Sequence, residues 1–266
     1  MQLPIYQIDA FAEAVFQGNP AAVVPLEHWP PDDVLQSVAQ ENNLAETAFF
    51  ARENGGYRLR WFTPATEVRL CGHATLASAH VLFEHLGFPE DVVHFHTLSG
   101  KLSVSRSGGA LSMDFPLDTP VPLATPATFF EAALGLSIVH ACRGKDDILL
   151  HIASLEALER FEPELGFIRS LEDARGIILT AHGHETDFAS RCFFPAVGVD
   201  EDAVTGSAHT LLAPYWAKIL GKENLTARQG GSRRGFLKCR PVGDRVEISG
   251  RAVTYLAGTI YLPERS

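Results

Sequence analysis

Two stretches of the sequence repeat one pattern and decide the expected fold. The first, "PATEVRLCGHATLASAHVLFEHLG", runs from Pro64 to Gly87, and the second, "PAVGVDEDAVTGSAHTLLAPYWAKILG", runs from Pro195 to Gly221. In each, a glycine opens an apolar segment that a Leu-Gly pair closes 15 residues later (87 − 72 and 221 − 206). Two helices that follow turns can look alike by chance, but the shared spacing favours an internal duplication.

The sequence around the two stretches repeats as well. The segments "ETAFFA" and "YRLRWFTP" have strand character before the first stretch, and "IILTA" stands in the same place before the second. A turn at "SGG" between "KLSVSR" and "ALSMDF" predicts a hairpin after the first stretch, and "GFLKCRPVGDRVEISG" predicts one after the second. The segment from Val68 to Phe83 is apolar on nearly every helical face, which predicts a buried helix ended by Gly87.

Short strands and one buried helix in each half predict an α+β protein. The economical packing is a curved, mostly antiparallel sheet wrapped around its helix, formed twice. We place the N-terminal half at residues 1–118 and the C-terminal half at residues 119–251, with the proline-rich "FPLDTPVPLATP" as the linker. Because small-molecule sites favour the groove between domains, we expect the active site in the cleft between the two halves.

The charge and hydropathy of the chain argue against two classes of partner. The formal net charge is −10 at pH 7, whereas nucleic acids and anionic membrane surfaces attract a basic face. No segment approaches about eighteen uninterrupted apolar residues, so no membrane-spanning helix is expected. The first residues, "MQLPIYQIDAF", lack the basic residues and the apolar run of a signal peptide, which favours a cytoplasmic location.

Cysteine and histidine spacings argue against a metal or redox site. The four cysteines, at positions 71, 142, 192 and 239, form no C-x-x-C pair and are expected to be reduced. Histidines occur as "HFH" at His94 and His96 and as "HGHE" at 182–185, but neither motif has a third ligand at a suitable spacing. The sequence also lacks a G-x-S-x-G nucleophile elbow and a phosphate-binding loop. We therefore expect acid–base chemistry without a metal.

The start of each buried helix is a candidate anion site. The first turn of a helix has unpaired N–H groups and a partial positive charge of about half an elementary charge. Glycine at positions Gly72 and Gly206 lets a ligand approach the backbone closely. Two such starts facing one cleft could hold the same small carboxylate, next to His73 and Ser207. The alternative is that His73 and Ser207 open their helices and bind nothing.

Two carboxylates are candidates for moving protons. Glu46, in "NNLAETAFF", lies between apolar residues at a strand start, where burial raises a carboxyl pKa towards the range of a general acid or base. The second half has no carboxylate at the corresponding place, near Ile177. Asp202 lies four residues before Gly206 and could orient His73 or carry a second proton. Alternatively, both acids could point to solvent.

Several motifs, in one order, resemble those of a known family. They are "QIDAFAEAVFQGNPAAVV", "NNLAETAFF", "RWFTPATEVRLCGHATLASAHVLF", "DEDAVTGSAHTLL" and "ARQGGSRRG". On these stretches the chain resembles the PhzF-like family of phenazine-biosynthesis-type isomerases, relatives of diaminopimelate epimerase, over essentially its whole length. The resemblance implies two pseudo-symmetric halves, the first completed by a strand within residues 252–266. It also implies a possible homodimer, catalysis without metal or organic cofactor, and a small carboxylate-bearing metabolite as partner.

The resemblance also assigns residues to the site. It implies that Glu46, His73 and Asp202 are catalytic. The expected substrate-binding residues are Asn19, Gly72, Gly206, Ser207, Gln229 and Gly230. The best-known activity of the family moves a proton off and back onto a small cyclic amino acid that carries a carboxylate.

Three positions depart from the family pattern. Ala203 stands where a proline is common and Ala45 where a serine is common, so the substrate does not follow from the resemblance. The epimerase relatives have a cysteine before each helix-start glycine, whereas this chain has Cys71 and Thr205. We therefore predict a cofactor-independent isomerase or epimerase with Glu46 as the mobile base and Cys71 as a packed neighbour. The alternatives are an epimerase that uses Cys71 with one carboxylate, and a non-catalytic binder of small acids or of a protein.

Overall fold

The computed structural model describes residues 1–263, and the chain divides into two compact units. The first unit combines Met1–Asp114 with the segment that begins at Ser249, and the second unit is Phe115–Ile248. Residues 264–266, the end of the segment expected to complete the first half, lie outside the described residues. Most of the strand pairs in both units are antiparallel and the helices are few, so the protein is α+β.

The strands are, in chain order, β1 (Gln2–Ala10), β2 (Asn19–Leu26), β3 (Glu46–Glu53), β4 (Gly56–Phe62), β5 (Glu67–Val68), β6 (Val92–Thr97), β7 (Gly100–Ser107), β8 (Ala110–Pro116), β9 (Val121–Pro122), β10 (Ile138–Arg143), β11 (Asp147–Ile152), β12 (Gly176–His182), β13 (Phe188–Phe194), β14 (Val199–Asp202), β15 (Leu225–Gln229), β16 (Gly235–Val242), β17 (Arg245–Gly250) and β18 (Ala252–Tyr261). The α-helices are α1 (Asp32–Asn42), α2 (Gly72–His80), α3 (Ala127–Leu134), α4 (Leu155–Arg160), α5 (Leu165–Arg169) and α6 (Gly206–Leu220). Across residues 1–263, none of the helices is long and apolar enough to cross a membrane.

The two units repeat the same order of elements and the same strand pairings. In the first unit β1 and β2 are antiparallel, β2 and β3 are parallel, and β3 and β4 are antiparallel. In the second unit β10 and β11 are antiparallel, β11 and β12 are parallel, and β12 and β13 are antiparallel. After α2 the chain enters β6, parallel to β4, and after α6 it enters β15, parallel to β13. The internal duplication expected from the sequence is confirmed.

Helix α2 is the buried helix of the first unit. All the residues from His73 to Ala79 are buried, and the helix packs against β1, β2 and β3. The helix begins at Gly72 and not at Val68, because Val68 lies in β5 and pairs with β4. A π-helical turn over Val81–His85 follows α2, and the chain turns away at Gly87, whose φ is +63°. The helix start is therefore set by the strand that precedes it.

Helix α6 takes the same place in the second unit. It ends before Gly221, whose φ is +61°. Its Trp216 ring stacks on Phe188 of β13 with ring centroids 5.6 Å apart, and Trp216 Nε1 donates to Thr180 Oγ1 at 2.9 Å. Because Trp216 is fully buried, its hydrogen bond and its stacking fix α6 on the sheet. This packing also fixes the position of the N-terminus of α6.

The last strand, β18, belongs to the first unit. It runs antiparallel to β1, from Tyr261 opposite Gln2 to Ala252 opposite Ala10. The Met1 ammonium donates to the carbonyl oxygen of Leu262 at 2.9 Å. The first unit is thus built from two segments that lie far apart in the sequence.

Candidate active site

The first unit brings four polar side chains together at the start of α2. Glu46 opens β3 and Asn19 opens β2, while Cys71 and His73 flank Gly72 at the helix start. His73 Nε2 lies 3.1 Å from Glu46 Oε2. On the other side of the ring, His73 Nδ1 lies 3.3 Å from Asn19 Nδ2 and 3.5 Å from Cys71 Sγ. The imidazole is therefore placed between a carboxylate and a thiol.

The backbone around these residues explains why they meet. Ala21 lies opposite Glu46 in the parallel β2–β3 pair, and Asn19 precedes Ala21 by two residues, so Asn19 and Glu46 share one face of the sheet. Cys71 has an extended backbone, and its carbonyl accepts hydrogen bonds from Thr75 N at 3.2 Å and from Thr75 Oγ1 at 2.6 Å. These bonds anchor the first turn of α2.

Burial and charge act in opposite directions on this cluster. Burial alone would raise the pKa of Glu46, but the adjacent His73 outweighs burial and brings the pKa below its usual range. Burial alone would lower the pKa of His73, but its acidic neighbours Cys71 and Glu46 raise it well above the usual value. Burial raises the pKa of the Cys71 thiol, and the charge of Glu46 adds to that rise.

The expectation that Glu46 has a raised pKa is therefore wrong. Apolar neighbours in the sequence suggested a desolvated, unpaired carboxyl, but the fold places an imidazole 3.1 Å away. With the pKa of Glu46 lowered and that of His73 raised, the pair exists at neutral pH as a carboxylate beside an imidazolium. A base and an acid are thus available at one point.

The contact between Glu46 and His73 leaves hydrogen-bonding capacity unused. Glu46 Oε2 and His73 Nε2 are buried, and within residues 1–263 neither makes a hydrogen bond of good geometry, although 3.1 Å separates them. The opposite charges of the two groups therefore contribute to holding the pair together. Because buried polar atoms normally have a partner, these two atoms are suited to receive a polar group of a ligand.

Glu46, Cys71 and His73 have side chains that could also hold a metal ion. One ligand atom from each of the three lies within 4.8 Å of the others. The two nitrogens of an imidazole point in different directions, and Cys71 faces Nδ1 whereas Glu46 faces Nε2. The cluster therefore contains acid–base groups and possible metal ligands at the same place. Of the histidines singled out in the sequence, His94 uses its Nδ1 in a 2.9 Å contact with Ser103 Oγ.

In the second unit, a hydrogen-bond network precedes α6. Thr205 Oγ1 donates to Asp202 Oδ2 at 2.6 Å and accepts from Gln229 Nε2 at 3.0 Å. Gln229 also donates to the Asp202 carbonyl oxygen at 2.9 Å and accepts from Thr205 N at 2.9 Å. The Gln229 side chain is completely buried, so its amide holds the loop in front of α6. In the structure the Gln229 amide contacts Thr205 and Asp202, whereas the sequence led us to expect a contact with the substrate.

Gly230 is required by the backbone of the same network. Its φ is +104°, and a Cβ there would collide with the carbonyl oxygens of Arg233 and Ala203. Its N–H donates to the Ser190 carbonyl oxygen at 3.0 Å. Gly230 therefore supports the loop that carries Asp202, at the point where Ala203 replaces the proline common in the family.

Ser207 has a contact that the sequence did not indicate. Arg175 Nη2 donates to Ser207 Oγ at 3.2 Å, and Arg175 is paired with Asp147 at 2.6 Å. Arg175 directly precedes β12 and Asp147 opens β11, so both stand far from Ser207 in the sequence. Only the duplication could have pointed to this contact from the sequence. Asp147 is the first residue of β11, just as Asn19 is the first residue of β2 in the first unit.

The expected site residues form two groups, one at each helix start. The first unit holds Asn19, Glu46, Gly72 and His73. The second unit holds Asp202, Gly206, Ser207, Gln229 and Gly230. In residues 1–263, the Thr205 side chain does not cap α6, so it leaves the first-turn N–H groups of that helix unused. In α2, the Cys71 thiol lies next to the first-turn N–H of Ala74.

A carboxylate and an imidazole thus lie together at the start of the buried helix of the first unit, an arrangement suited to acid–base chemistry. The family model described as "Phenazine biosynthesis-like protein" matches residues 8–258. An uncharacterized isomerase of Pseudomonas aeruginosa is 51% identical over 262 residues, which cover 98% of this chain and 100% of that relative. The chain belongs to the PhzF family of phenazine biosynthesis-like proteins.

Solved structures agree with this assignment. A PhzF family protein of Enterococcus faecalis has a TM-score of 0.93 and 45% sequence identity, over 98% of this chain and 100% of that chain. A predicted epimerase of Pseudomonas aeruginosa has a TM-score of 0.78 at 22% identity, over 98% of this chain and 100% of that chain. The second likeness shows the fold alone. The epimerase-like α+β fold expected from the sequence is confirmed.

Proposed function

We propose that this isomerase moves a proton on a small carbon acid that carries a carboxylate, by general acid–base catalysis and without a cofactor. The observation that supports the proposal is the pair of Glu46 and His73, 3.1 Å apart, with two buried atoms available to a ligand. The isomerase class follows from the family, and the substrate class and mechanism are the proposal.

Glu46 is the proposed base. Its lowered pKa keeps it ionised at neutral pH, so it can accept a proton from a carbon next to the substrate carboxylate. Glu46 then becomes a neutral carboxylic acid, and the negative charge is spread over the substrate. Glu46 exchanges this proton with solvent and returns a proton to another carbon in an isomerisation. In an epimerisation, a second donor delivers a proton to the other face of the same carbon.

His73 is the proposed acid and charge partner. Its raised pKa keeps it protonated, so an imidazolium faces the substrate while negative charge develops there. Before the reaction this cation is balanced by the Glu46 carboxylate. Once Glu46 is protonated, the cation is left to balance the charge on the substrate. The charge of the Glu46–His73 pair therefore rises by one as the charge of the substrate falls by one, and the total charge of the pair and substrate stays the same.

The starts of α2 and α6 are each proposed as a place that suits a carboxylate. The first-turn N–H groups of α6 are not capped by the Thr205 side chain within residues 1–263. A helix N-terminus carries a partial positive charge of about half an elementary charge, which suits a carboxylate. Gly72 and Gly206 place no side chain between the ligand and these N–H groups.

A second candidate is an epimerase in which Cys71 exchanges protons as well. Cys71 Sγ lies 3.5 Å from His73 Nδ1, so thiol and carboxylate contact opposite nitrogens of one ring. The raised pKa of Cys71 keeps the thiol neutral, which opposes a role as the first base but permits one as a proton donor. Glu46 is the base in both candidates.

Proton exchange with solvent tests the proposal. A metabolite extract is incubated with the protein in deuterated water, and mass spectrometry detects compounds that gain one mass unit. We expect gains in small carboxylic acids, with wild-type protein and not with Glu46→Gln. A non-catalytic binder would give no gain, and gains that persist in Glu46→Gln would contradict the role of Glu46.

A further inference from the structure

The duplicated fold lets each residue of the first helix start be compared with its counterpart in the second. Asn19 opens β2 and Asp147 opens β11, the first strand of the parallel pair in each unit. His73 and Ser207 are the second residues of α2 and α6. Glu46 opens β3, and Arg175 directly precedes β12, the corresponding strand.

The two helix starts have corresponding contacts, but the charged group that approaches the helix is a carboxylate in one and a guanidinium in the other. In the first unit the helix-start residue His73 contacts Asn19 and Glu46. In the second unit the helix-start residue Ser207 contacts Arg175, which is held by Asp147. A carboxylate approaches the helix in one copy, and a guanidinium approaches it in the other.

Arg175 is held firmly in this place. Its Nε donates to Asp147 Oδ1 at 3.0 Å and its Nη2 to Asp147 Oδ2 at 2.6 Å. The guanidinium carbon lies 4.1 Å from the centre of the Phe194 ring. Within residues 1–263, its Nη1 has no hydrogen-bond partner, and the side chain is 29% exposed. One edge and one face of the guanidinium are thus in use, while Nη1 is not.

The hydrogen bond from Arg175 determines what the Ser207 hydroxyl can do. A guanidinium has donors and no acceptor, so Ser207 Oγ must accept from it. The Ser207 proton must then point away from Arg175, where it can be donated to another group. Ser207 is exposed, so that group can come from a ligand.

We propose that Arg175 is a positioning residue that makes Ser207 an obligatory donor to a carboxylate at the start of α6, and that Ser207, polarised by Arg175, selects an ionised carboxylate over a neutral amide. This proposal rests on the proposed function, because it assumes that a carboxylate binds at the start of α6. In this view the duplicated site has diverged. The first copy contains a carboxylate beside an imidazole, and the second copy contains a guanidinium beside a hydroxyl.

Binding measurements with paired probes test the proposal. The probes are L-proline and 2-aminobenzoate, each compared with its primary amide, and dissociation constants come from calorimetry. The proteins are wild type, Arg175→Gln, Ser207→Ala and the double variant. Arg143→Gln is the control, because this arginine of the second unit contacts the carbonyl oxygens of Asp173 and Gly144.

We expect Arg175→Gln to weaken binding of the acids roughly 10- to 100-fold, the range of a charge-assisted hydrogen bond. In the Ser207→Ala background the same change should cost less than about threefold, because Arg175 acts through Ser207. Binding of the amides and the Arg143→Gln variant should change little. Arg175→Lys, which also has donors alone, should recover part of the affinity.

The outcomes separate the two proposals. If Ser207→Ala weakens acid binding and Arg175→Gln does not, the role of Arg175 is wrong and the carboxylate site stands. If neither acid binds the wild-type protein, or Ser207→Ala has no effect, the carboxylate site at α6 is wrong, and the role of Arg175 with it. Since loss of Arg175 leaves the buried Asp147 unpaired, Arg175→Gln combined with Asp147→Asn gives a second test in a protein without that buried charge.

Discussion

Glu46 and His73 come from β3 and α2 and place a carboxylate oxygen 3.1 Å from a ring nitrogen in the interior of one unit. Each group shifts the pKa of the other in the direction that favours its charged form. Neither residue would be ionised if it were buried alone. The acid and the base of the proposed reaction therefore depend on each other.

Replacement of Glu46 by glutamine should abolish proton exchange and preserve binding. A positioned general base contributes roughly 10² to 10⁴ in rate, so exchange into a responsive acid should fall by that factor. Glutamine keeps the size of the side chain, so calorimetric affinity should change much less than the rate. Glu53→Gln, at the exposed end of the same strand, is the control. A Glu46→Gln rate within about threefold of wild type would remove Glu46 from the mechanism.

Replacement of Cys71 by serine should affect stability more than exchange. The thiol is buried and its pKa is raised, so it is a neutral neighbour of His73 in the proposed mechanism. A serine hydroxyl in this place should cost about 1–2 kcal/mol of unfolding free energy, measured by urea titration. Exchange lost from a folded Cys71→Ser protein would instead support the epimerase in which Cys71 takes part.

Acid should destabilise the second unit through His209. Burial lowers the pKa of His209 to about 4 from an ordinary 6.5, and its Nδ1 lies 2.8 Å from the Thr205 carbonyl oxygen. Between these two pH values the unfolded chain binds more protons than the folded chain, so the unfolding free energy falls as pH falls from 6.5 to about 4. One such site contributes a slope of up to about 1.4 kcal/mol per pH unit.

His209→Asn tests this pH dependence, since an asparagine amide can donate to the same carbonyl and does not titrate. Urea titrations from pH 4 to 7 should show a shallower slope for His209→Asn than for the wild type. His28→Gln, at an exposed histidine, should leave the slope unchanged. Equal slopes in all three proteins would mean that His209 is not the source of acid lability.

Gly230→Ala should destabilise the protein more than another glycine of the same backbone region. Gly230 and Gly243 both have positive φ, +104° and +59°, so alanine costs about 1–2 kcal/mol at either position. A Cβ at Gly230 also meets carbonyl oxygens, whereas a Cβ at Gly243 meets nothing within 4 Å. We expect Gly230→Ala to cost about 2 kcal/mol more than Gly243→Ala, by thermal or urea unfolding. Equal costs would show that the loop can move to admit the methyl group.

The sequence predicted the parts of the site that depend on local pattern. Gly72 and Gly206 follow from the repeated spacing, and the α+β fold follows from strand and helix periodicities on either side of them. The pKa of Glu46 could not be predicted from its apolar neighbours, because its effective neighbour is His73, 27 residues away (73 − 46).

Contacts that depend on tertiary packing could not be predicted from the sequence. Arg175 contacts Ser207 because β12 and α6 pack together in one unit, and the hydrophobic periodicity of the sequence does not predict this contact. The π-helical turn at Val81–His85 also lies in a segment whose apolar pattern predicts an ordinary helix. Both features depend on which side chains the sheet brings together after folding.

The pairing of β18 with β1 has a consequence for synthesis on the ribosome. β1 ends at residue 10 and β18 begins at residue 252, so about 242 further residues (252 − 10) must be made before the two strands can meet. At about 5–20 residues per second, this takes roughly 10 to 50 seconds. Throughout that time one edge of β1 lacks its partner and is open to pairing with another nascent chain. The second unit is continuous in sequence, so its strands emerge together, and the first unit, which carries Glu46 and His73, is the last to be completed.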